Sequence, residues 1–216
     1  MRRGKVLVVD GKIGAGKTTL VNALRKLFPN VTYVTEPLDD FSRFVTGTGD
    51  IINPLEFFYE NPKQNAIATQ LYFLDVYSER LRELEETDVA PLIIADRWIT
   101  SCDVFTNALT LEGHITQFGR EYFAKKYKKL SNELVYFFPD VVYILDTPTD
   151  VCLERQRQRG RKIENDYMQM ETYLRHIQWG YDAMAIHQAL FKVKKSKYNT
   201  LDSCVQEVSE IIKELM

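Results

Sequence analysis

Four short aliphatic runs punctuate the chain: "KVLVV" (Lys5 to Val9), "VTYVT" (Val31 to Thr35), "PLIIA" (Pro91 to Ala95) and "VVYIL" (Val141 to Leu145). They are β-branched and largely without polar alternation, so they read as strands covered on both faces. Each is followed by a stretch with helical spacing, and such alternation specifies an α/β domain built on a parallel sheet. The spacing predicts helices over Lys17 to Phe28, Lys63 to Glu86, Glu112 to Asn132, Thr149 to Arg157, Asp166 to Leu190 and Ser203 to Leu215. A fifth strand is expected near "LFKVKK", and Gly47, Gly49 and Pro54 mark a loop after the second strand. No repeat, low-complexity tract or linker interrupts the pattern, so residues 1–216 are expected to form one domain.

Composition narrows the class. With 216 residues, 45% of them hydrophobic, the chain can bury one good core. The 28 basic and 30 acidic side chains nearly cancel, which argues against a protein that coats nucleic acid along a whole surface. Cys102, Cys152 and Cys204 are odd in number and lack zinc-ligand or CxxC spacing, so they are expected as reduced thiols of a soluble, intracellular (cytoplasmic) protein. The apolar run near the start is too short for a signal peptide, and nothing reaches the length of a membrane span.

The first chemical motif is "GKIGAGKT", Gly11, Lys12, Ile13, Gly14, Ala15, Gly16, Lys17 and Thr18, followed by Thr19. It fits G-x-x-x-x-G-K-[ST] and falls between a strand and a helix, as a P-loop requires. Glycines let backbone N–H groups wrap phosphates at the helix start, Lys17 reaches the terminal phosphates, and the Thr18 hydroxyl serves as a Mg²⁺ ligand. A nucleoside triphosphate with Mg²⁺ is therefore expected.

Three acidic groups fall at the carboxyl ends of predicted strands, the edge where open α/β sheets bind ligands. They are Asp10, Glu36 in "TEP" and Asp96 in "ADRW". Asp96 suits a metal shell, Arg97 suits a transferring phosphate, and Glu36 is then left as a base. Gln70, Leu74 and Tyr77 lie four and three residues apart in a predicted helix and project from one face, which can serve as a pocket wall or pack in the core.

Taken together, "GKIGAGKT", "TEPLDDF", "NPLEFFYENPKQNAIATQLY", "ADRW" and "RGRKIE" make the chain resemble the deoxyribonucleoside kinases through nearly its whole length. The resemblance implies a P-loop kinase fold with about five parallel strands flanked by helices and an arginine-rich lid over about residues 155–165. It implies transfer of the γ-phosphate of ATP to the 5′-hydroxyl of a deoxynucleoside, in a homodimer packed through helices. It carries the catalytic base to Glu36, the acidic-Arg-Ser motif to Asp96 and Arg97, 3′-hydroxyl contacts to Tyr59 and Glu164, and the base-gripping glutamine to Gln70. Phe41, Leu55 and Phe58 take apolar or aromatic pocket positions. Four departures stand out: Trp98 for serine, Asp96 for glutamate, Phe41 for tryptophan, and Ile163 for the first of two lid acids.

The cluster "RQRQRGRK" reads within that resemblance as the lid. Arg155 and Arg159 are four apart, as are Arg157 and Arg161. Arg159 and Arg161 are the expected phosphate contacts, Arg155 a structural or ligand-facing residue, and Arg157 a solvated one. Base choice turns on Tyr77 and Cys102, which stand where relatives that prefer deoxycytidine or purines carry an arginine and an aspartate. Loss of that charged pair leaves a less polar wall, so a pyrimidine, thymidine first, is the expected acceptor. Asp103 is the one neighbour able to restore a carboxylate there.

Two other classes stay open. Thymidylate kinase shares the P-loop ending and an Asp-Arg-aromatic motif, but Leu38 and Asp39 stand where its phosphate-receiving glycines would be. A P-loop switch or nucleic-acid-binding ATPase lacks support from overall charge. His114, His176 and His187 show no ligand spacing, and "KKYKK" at Lys125 to Lys129 reads as a solvated helix face.

Overall fold

The computed structural model describes residues 4–36, 44–45, 49, 51–87, 91–160, 169–186, 190–197 and 200–216. Five strands form one parallel sheet: β1 (Lys5–Gly11), β2 (Thr32–Val34), β5 (Leu92–Asp96), β6 (Val141–Leu145) and β7 (Lys192–Lys195), in the order β2-β5-β1-β6-β7. The three inner strands are buried along nearly their whole length, as continuous aliphatic runs in a doubly covered sheet must be. The lysine-rich β7 stands at one edge, where charge discourages pairing with another chain. β1 pairs with β5 in a register that sets Val9 beside Asp96, and with β6 so that Gly11 lies beside Leu145. The chain moves to one side of β1 for β2 and β5 and to the other for β6 and β7, which opens a crevice at the carboxyl end of the central strand.

The helices are α1 (Lys17–Leu27), α2 (Pro54–Glu60), α3 (Pro62–Glu86), α4 (Ile99–Leu111), α5 (Gln117–Glu133), α6 (Thr149–Arg159), α7 (Met170–Ile186) and α8 (Leu201–Leu215). Two of these depart from the pattern-based expectation. The stretch after β2 holds a small antiparallel pair, β3 (Phe44–Val45) with β4 (Ile51–Ile52), and then α2. Both α2 and α3 start at an Asn-Pro dipeptide. The Asn53 side chain accepts from the N–H of Leu55 at 2.9 Å, and Asn61 accepts from that of Gln64 at 3.4 Å, while Pro54 and Pro62 occupy the first helical turns. The second departure is α4, a helix in which the polar Thr100, Ser101 and Thr106 are buried among apolar residues, so the amphipathic period is blurred. α5 accordingly begins at Gln117, later than predicted.

α4 packs closely against α7. A Cβ at Gly180 of α7 would stand 2.8 Å from Val104 Cγ1, so only glycine permits this approach. Cys102, Cys152 and Cys204 are all buried and none forms a disulfide, and no described helix is long and apolar enough to cross a membrane.

Candidate active site

A cavity of about 620 Å³ opens at the carboxyl end of β1 and β5. The P-loop forms one wall, with Ile13, Gly14, Gly16, Lys17, Thr18 and Thr19 lining it. Gly14 and Gly16 adopt positive φ (82° and 103°), and a Cβ at Gly14 would fall 2.5 Å from the carbonyl oxygen of Cys152 on α6. Gly11, Lys12 and Ala15 form the back of the loop instead of the cavity wall. The Lys12 ammonium donates to Thr149 Oγ1 at 3.3 Å, and the Ala15 carbonyl accepts from Thr147 Oγ1 at 2.9 Å.

Lys17 Nζ donates to the carbonyls of Lys12 (2.9 Å) and Gly11 (3.4 Å). Burial, aided by the nearby Arg97 charge, lowers its pKa to about 8. Thr18 Oγ1 donates to Asp96 Oδ2 at 2.6 Å, while the buried Asp96 Oδ1 has no hydrogen-bond partner. A hydroxyl and a carboxylate brought together, with one carboxylate oxygen left over, suit a hard divalent cation that takes its other ligands from phosphate and water. Among the described residues no three His, Cys, Asp or Glu side chains cluster as an all-protein metal cage.

Arg97 joins this region to the opposite wall. It is the one described non-glycine residue with positive φ (65°), a conformation that costs about 1–3 kcal/mol and clusters at functional sites. Its backbone N–H donates to the Val9 carbonyl at 3.1 Å. Its Nε pairs with Glu36 Oε1 at 3.2 Å, its Nη1 pairs with Asp10 Oδ1 at 3.0 Å, and its guanidinium lies 4.7 Å over the Phe105 ring. Burial opposes the charge, but the oxygens of Tyr181, Glu36 and Asp10 outweigh it and hold the guanidinium pKa above its usual value. Trp98, the departure from serine, is an anchor: fully buried, its Nε1 donates to the carbonyls of Tyr136 and Phe137 at 3.0 and 3.2 Å.

The far wall comes from α2, α3, α4 and α7. Leu55, Phe58 and Tyr59 line it from α2, Thr69, Gln70, Phe73 and Tyr77 from α3, Ser101, Cys102 and Phe105 from α4, and Tyr173 from α7. Gln70 Oε1, Tyr77 OH and Thr69 Oγ1 are buried without hydrogen-bond partners, so three polar atoms converge on one apolar chamber. Burial pushes the Cys102 thiol and the Tyr77 phenol up, keeping both neutral. Asp103, next to Cys102, is committed elsewhere: it pairs with Arg120 at 2.7 Å and accepts from Asn107 at 3.3 Å.

On the P-loop side, Arg155, Gln158 and Arg159 of α6 complete the lining. Arg155 Nη1 donates to the Ala15 carbonyl at 2.8 Å, which makes it a clamp on the phosphate loop. α6 runs two residues beyond the predicted end and stops at Gly160, whose positive φ of 72° caps it. Arg157 lies on its exposed side, paired with Glu154 at 3.6 Å. Phe41, Arg161, Ile163 and Glu164, and the histidine at 187, fall outside the described residues.

Thus Glu36, Lys17, Thr18, Arg97, Arg159, Arg155, Leu55, Phe58, Tyr59, Gln70, Tyr77 and Cys102 share one cavity, with Asp96 behind Thr18. Thr69, Phe73, Ser101, Phe105 and Tyr173 line it too and escaped the sequence reading. Phe73, three residues after Gln70 and four before Tyr77, shares their predicted helix face and was legible from that spacing.

The deoxynucleoside kinase family matches residues 7–216 of this sequence. The chain belongs to that family. Members of the deoxynucleoside kinase family are phosphotransferases, and among relatives of this chain is the deoxyadenosine kinase of Dictyostelium discoideum. It is 29% identical over 163 residues, which cover 76% of this chain and 60% of that one. The deoxyguanosine kinase of Lactobacillus johnsonii is 31% identical over 164 residues, covering 74% and 66% of the two chains. In fold, the chain is similar to the deoxyadenosine kinase from M. mycoides with products dCMP and a flexible dCDP bound, at a TM-score of 0.78 and 18% identity, over 97% of this chain and 99% of that one.

Proposed function

We propose that this chain transfers the γ-phosphate of ATP to the 5′-hydroxyl of a deoxyribonucleoside, with a pyrimidine, thymidine first, as preferred acceptor. The observation that carries the reading is Glu36 lining the same cavity as the P-loop Lys17 and Thr18 and the unpartnered Gln70 Oε1. In the reaction the 5′-oxygen attacks the γ-phosphorus and the bond to the β–γ bridging oxygen breaks, releasing ADP. Glu36 takes the hydroxyl proton, while Lys17, Arg97 and Arg159 spread the charge that develops on the equatorial oxygens. Thr18 and Asp96 would hold Mg²⁺, which supplies further neutralisation of phosphate charge when bound. Tyr59, with Glu164, is assigned to the 3′-hydroxyl, Phe58, Phe41 and Leu55 to the sugar and base walls, and Arg161 joins Arg159 in the lid.

The base assignment rests on chemistry at the far wall. Gln70 can pair with thymine through N3–H and O4, or with other bases after its amide flips. Tyr77 and Cys102 keep that wall neutral, and the engagement of Asp103 with Arg120 withholds the carboxylate adjacent to Cys102 in sequence. A purine acceptor is a second reading, favoured by the deoxyadenosine and deoxyguanosine kinases among the relatives. Thymidylate kinase has less support, because Gln70 and Glu36 suit a free nucleoside. The three buried thiols support a reducing, intracellular compartment, and a homodimer packed through helices completes the proposal.

The test is a panel of the four deoxynucleosides and thymidylate with Mg-ATP. Thymidine is expected to give the highest kcat/KM, with deoxycytidine accepted. Best turnover of deoxyguanosine or deoxyadenosine would overturn the base assignment and leave the kinase reading standing. Turnover of thymidylate alone, or DNA-stimulated ATP hydrolysis without nucleoside phosphorylation, would overturn the nucleoside-kinase reading itself.

A further inference from the structure

Asp10 is completely buried and its carboxylate carries four hydrogen bonds. Oδ2 accepts from Ser101 Oγ at 2.5 Å. Oδ1 accepts from the Gly11 N–H at 2.9 Å, from Arg97 Nη1 at 3.0 Å and from the Tyr181 hydroxyl at 2.6 Å. The same Arg97 Nη1 also approaches the Gly11 carbonyl at 3.1 Å and Tyr181 OH at 3.2 Å, so its two protons are shared among three acceptors. Tyr181 therefore donates to Asp10 and accepts from Arg97, closing a triangle around one end of the guanidinium. A planar guanidinium with one terminal nitrogen locked in this way has its rotation about Cδ–Nε and its position along the cavity set together. What it then presents is Nε, which meets Glu36 at 3.2 Å.

Tyr181 does not line the cavity. It reaches Asp10 from α7, and the preceding residue, Gly180, is where α7 comes too close to Val104 of α4 for any side chain. The helix packing thus delivers a phenol to the buried Asp10 carboxylate beneath the reacting groups.

We propose that Tyr181 is a positioning residue of the site: through Asp10 it fixes the pose of Arg97, and through Arg97 the placement of Glu36. This rests on the kinase reading above for its kinetic consequence. Removing the hydroxyl deprives Arg97 Nη1 of one acceptor and Asp10 of its shortest Oδ1 donor. Arg97 then moves toward Asp10 and loosens its grip on Glu36. Substrates are expected still to bind, because Tyr181 does not line the cavity. Pre-organisation of the reacting groups suffers, so the loss falls on turnover.

The experiment has two arms. Crystal structures of the wild type and Tyr181→Phe read the positioning directly and need no turnover. The variant is expected to show Arg97 Nε beyond hydrogen-bond reach of Glu36, and an unchanged Arg97–Glu36 pair would overturn the proposal. Steady-state kinetics form the second arm: kcat is expected to fall about 10-fold with both KM values within twofold. In an Arg97→Lys background the same Tyr181→Phe change is expected to cost less than twofold, because the group it acts through is gone. Additive losses in the two backgrounds, or a rise in KM with kcat kept, would overturn it. Gly180→Ala, which pushes α7 off α4, is expected to lower kcat in the same pattern, and full activity there would also count against the proposal. A wild type that phosphorylates no nucleoside would defeat the kinase reading, and the crystallographic arm would still decide whether Tyr181 positions Arg97.

Discussion

Thr18 Oγ1 on the first turn of α1 donates to Asp96 Oδ2 at the end of β5, 2.6 Å away, across 78 residues of sequence. The pair ties the phosphate loop to the strand that leads into Arg97, and the second Asp96 oxygen is buried with no partner. Asp96→Asn keeps the shape but removes the negative charge available to a divalent cation. The Mg²⁺ concentration for half-maximal activity is expected to rise about 10-fold or more. A magnesium titration at saturating ATP measures it, and an unchanged requirement would remove Asp96 from the metal site.

Glu36→Gln preserves the contact with Arg97 but cannot accept the 5′-hydroxyl proton. Turnover is expected to fall about 10²–10⁴-fold, the usual contribution of a general base. Nucleoside affinity, read by calorimetry, should survive. Activity within a few-fold of wild type would strip Glu36 of that role.

Lys17 supplies a pH dependence whose sign follows from its environment. Burial holds its pKa near 8, below the ordinary 10.5, so the unfolded chain binds the proton more tightly than the folded apo-protein. Stability of the apo-protein should therefore rise with pH between about 8 and 10.5 as far as this group is concerned, and the penalty is fully present below 8. Triphosphate binding restores the charge. ATP binding at pH 8.5–9 is expected to take up close to one proton, measured by calorimetry in buffers of different ionisation enthalpy. Lys17→Met should abolish that uptake.

The two arginines of α6 that reach the cavity should separate kinetically. Arg155 holds the Ala15 carbonyl at 2.8 Å, so Arg155→Ala is expected to raise KM for ATP about 10-fold by loosening the loop. Arg159→Ala should lower kcat about 10- to 100-fold with nucleoside KM little changed, since its contact strengthens as charge develops. Arg161→Ala is expected to follow Arg159. Salt-sensitive DNA binding should be absent from the wild type, and tight DNA binding lost in these variants would make the cluster a nucleic-acid arm.

Cys102→Asp returns a carboxylate to the neutral wall beside Gln70 and Tyr77. The ratio of kcat/KM for thymidine to that for deoxycytidine is expected to fall about 10-fold, because a carboxylate accepts from an exocyclic amino group and repels a carbonyl oxygen. An unchanged ratio would mean that position 102 does not face the base.

The sequence by itself determined the sheet, the phosphate loop and the acidic residues at the strand ends. These are local signals: aliphatic runs of five residues, a glycine pattern of fixed spacing, and carboxylates where apolar strands stop. Gln70 with Tyr77 was legible as one helix face for the same reason, since 3.6 residues per turn is a property of the chain alone. Two helices were hidden. α2 is a seven-residue helix specified by its Asn-Pro caps, and α4 buries Thr100, Ser101 and Thr106 among its apolar residues, which blurs its period. Only the tertiary structure decided what the acidic residues do. Asp10, read as a strand-end ligand group, is sealed beneath Arg97, Ser101 and Tyr181, whereas Asp96 keeps one buried oxygen without a hydrogen-bond partner. Nothing in the chain near residue 10 announces a phenol 171 positions away. That contact exists because Gly180 lets α7 press against α4, and close packing between distant segments has no local signature for a sequence to carry.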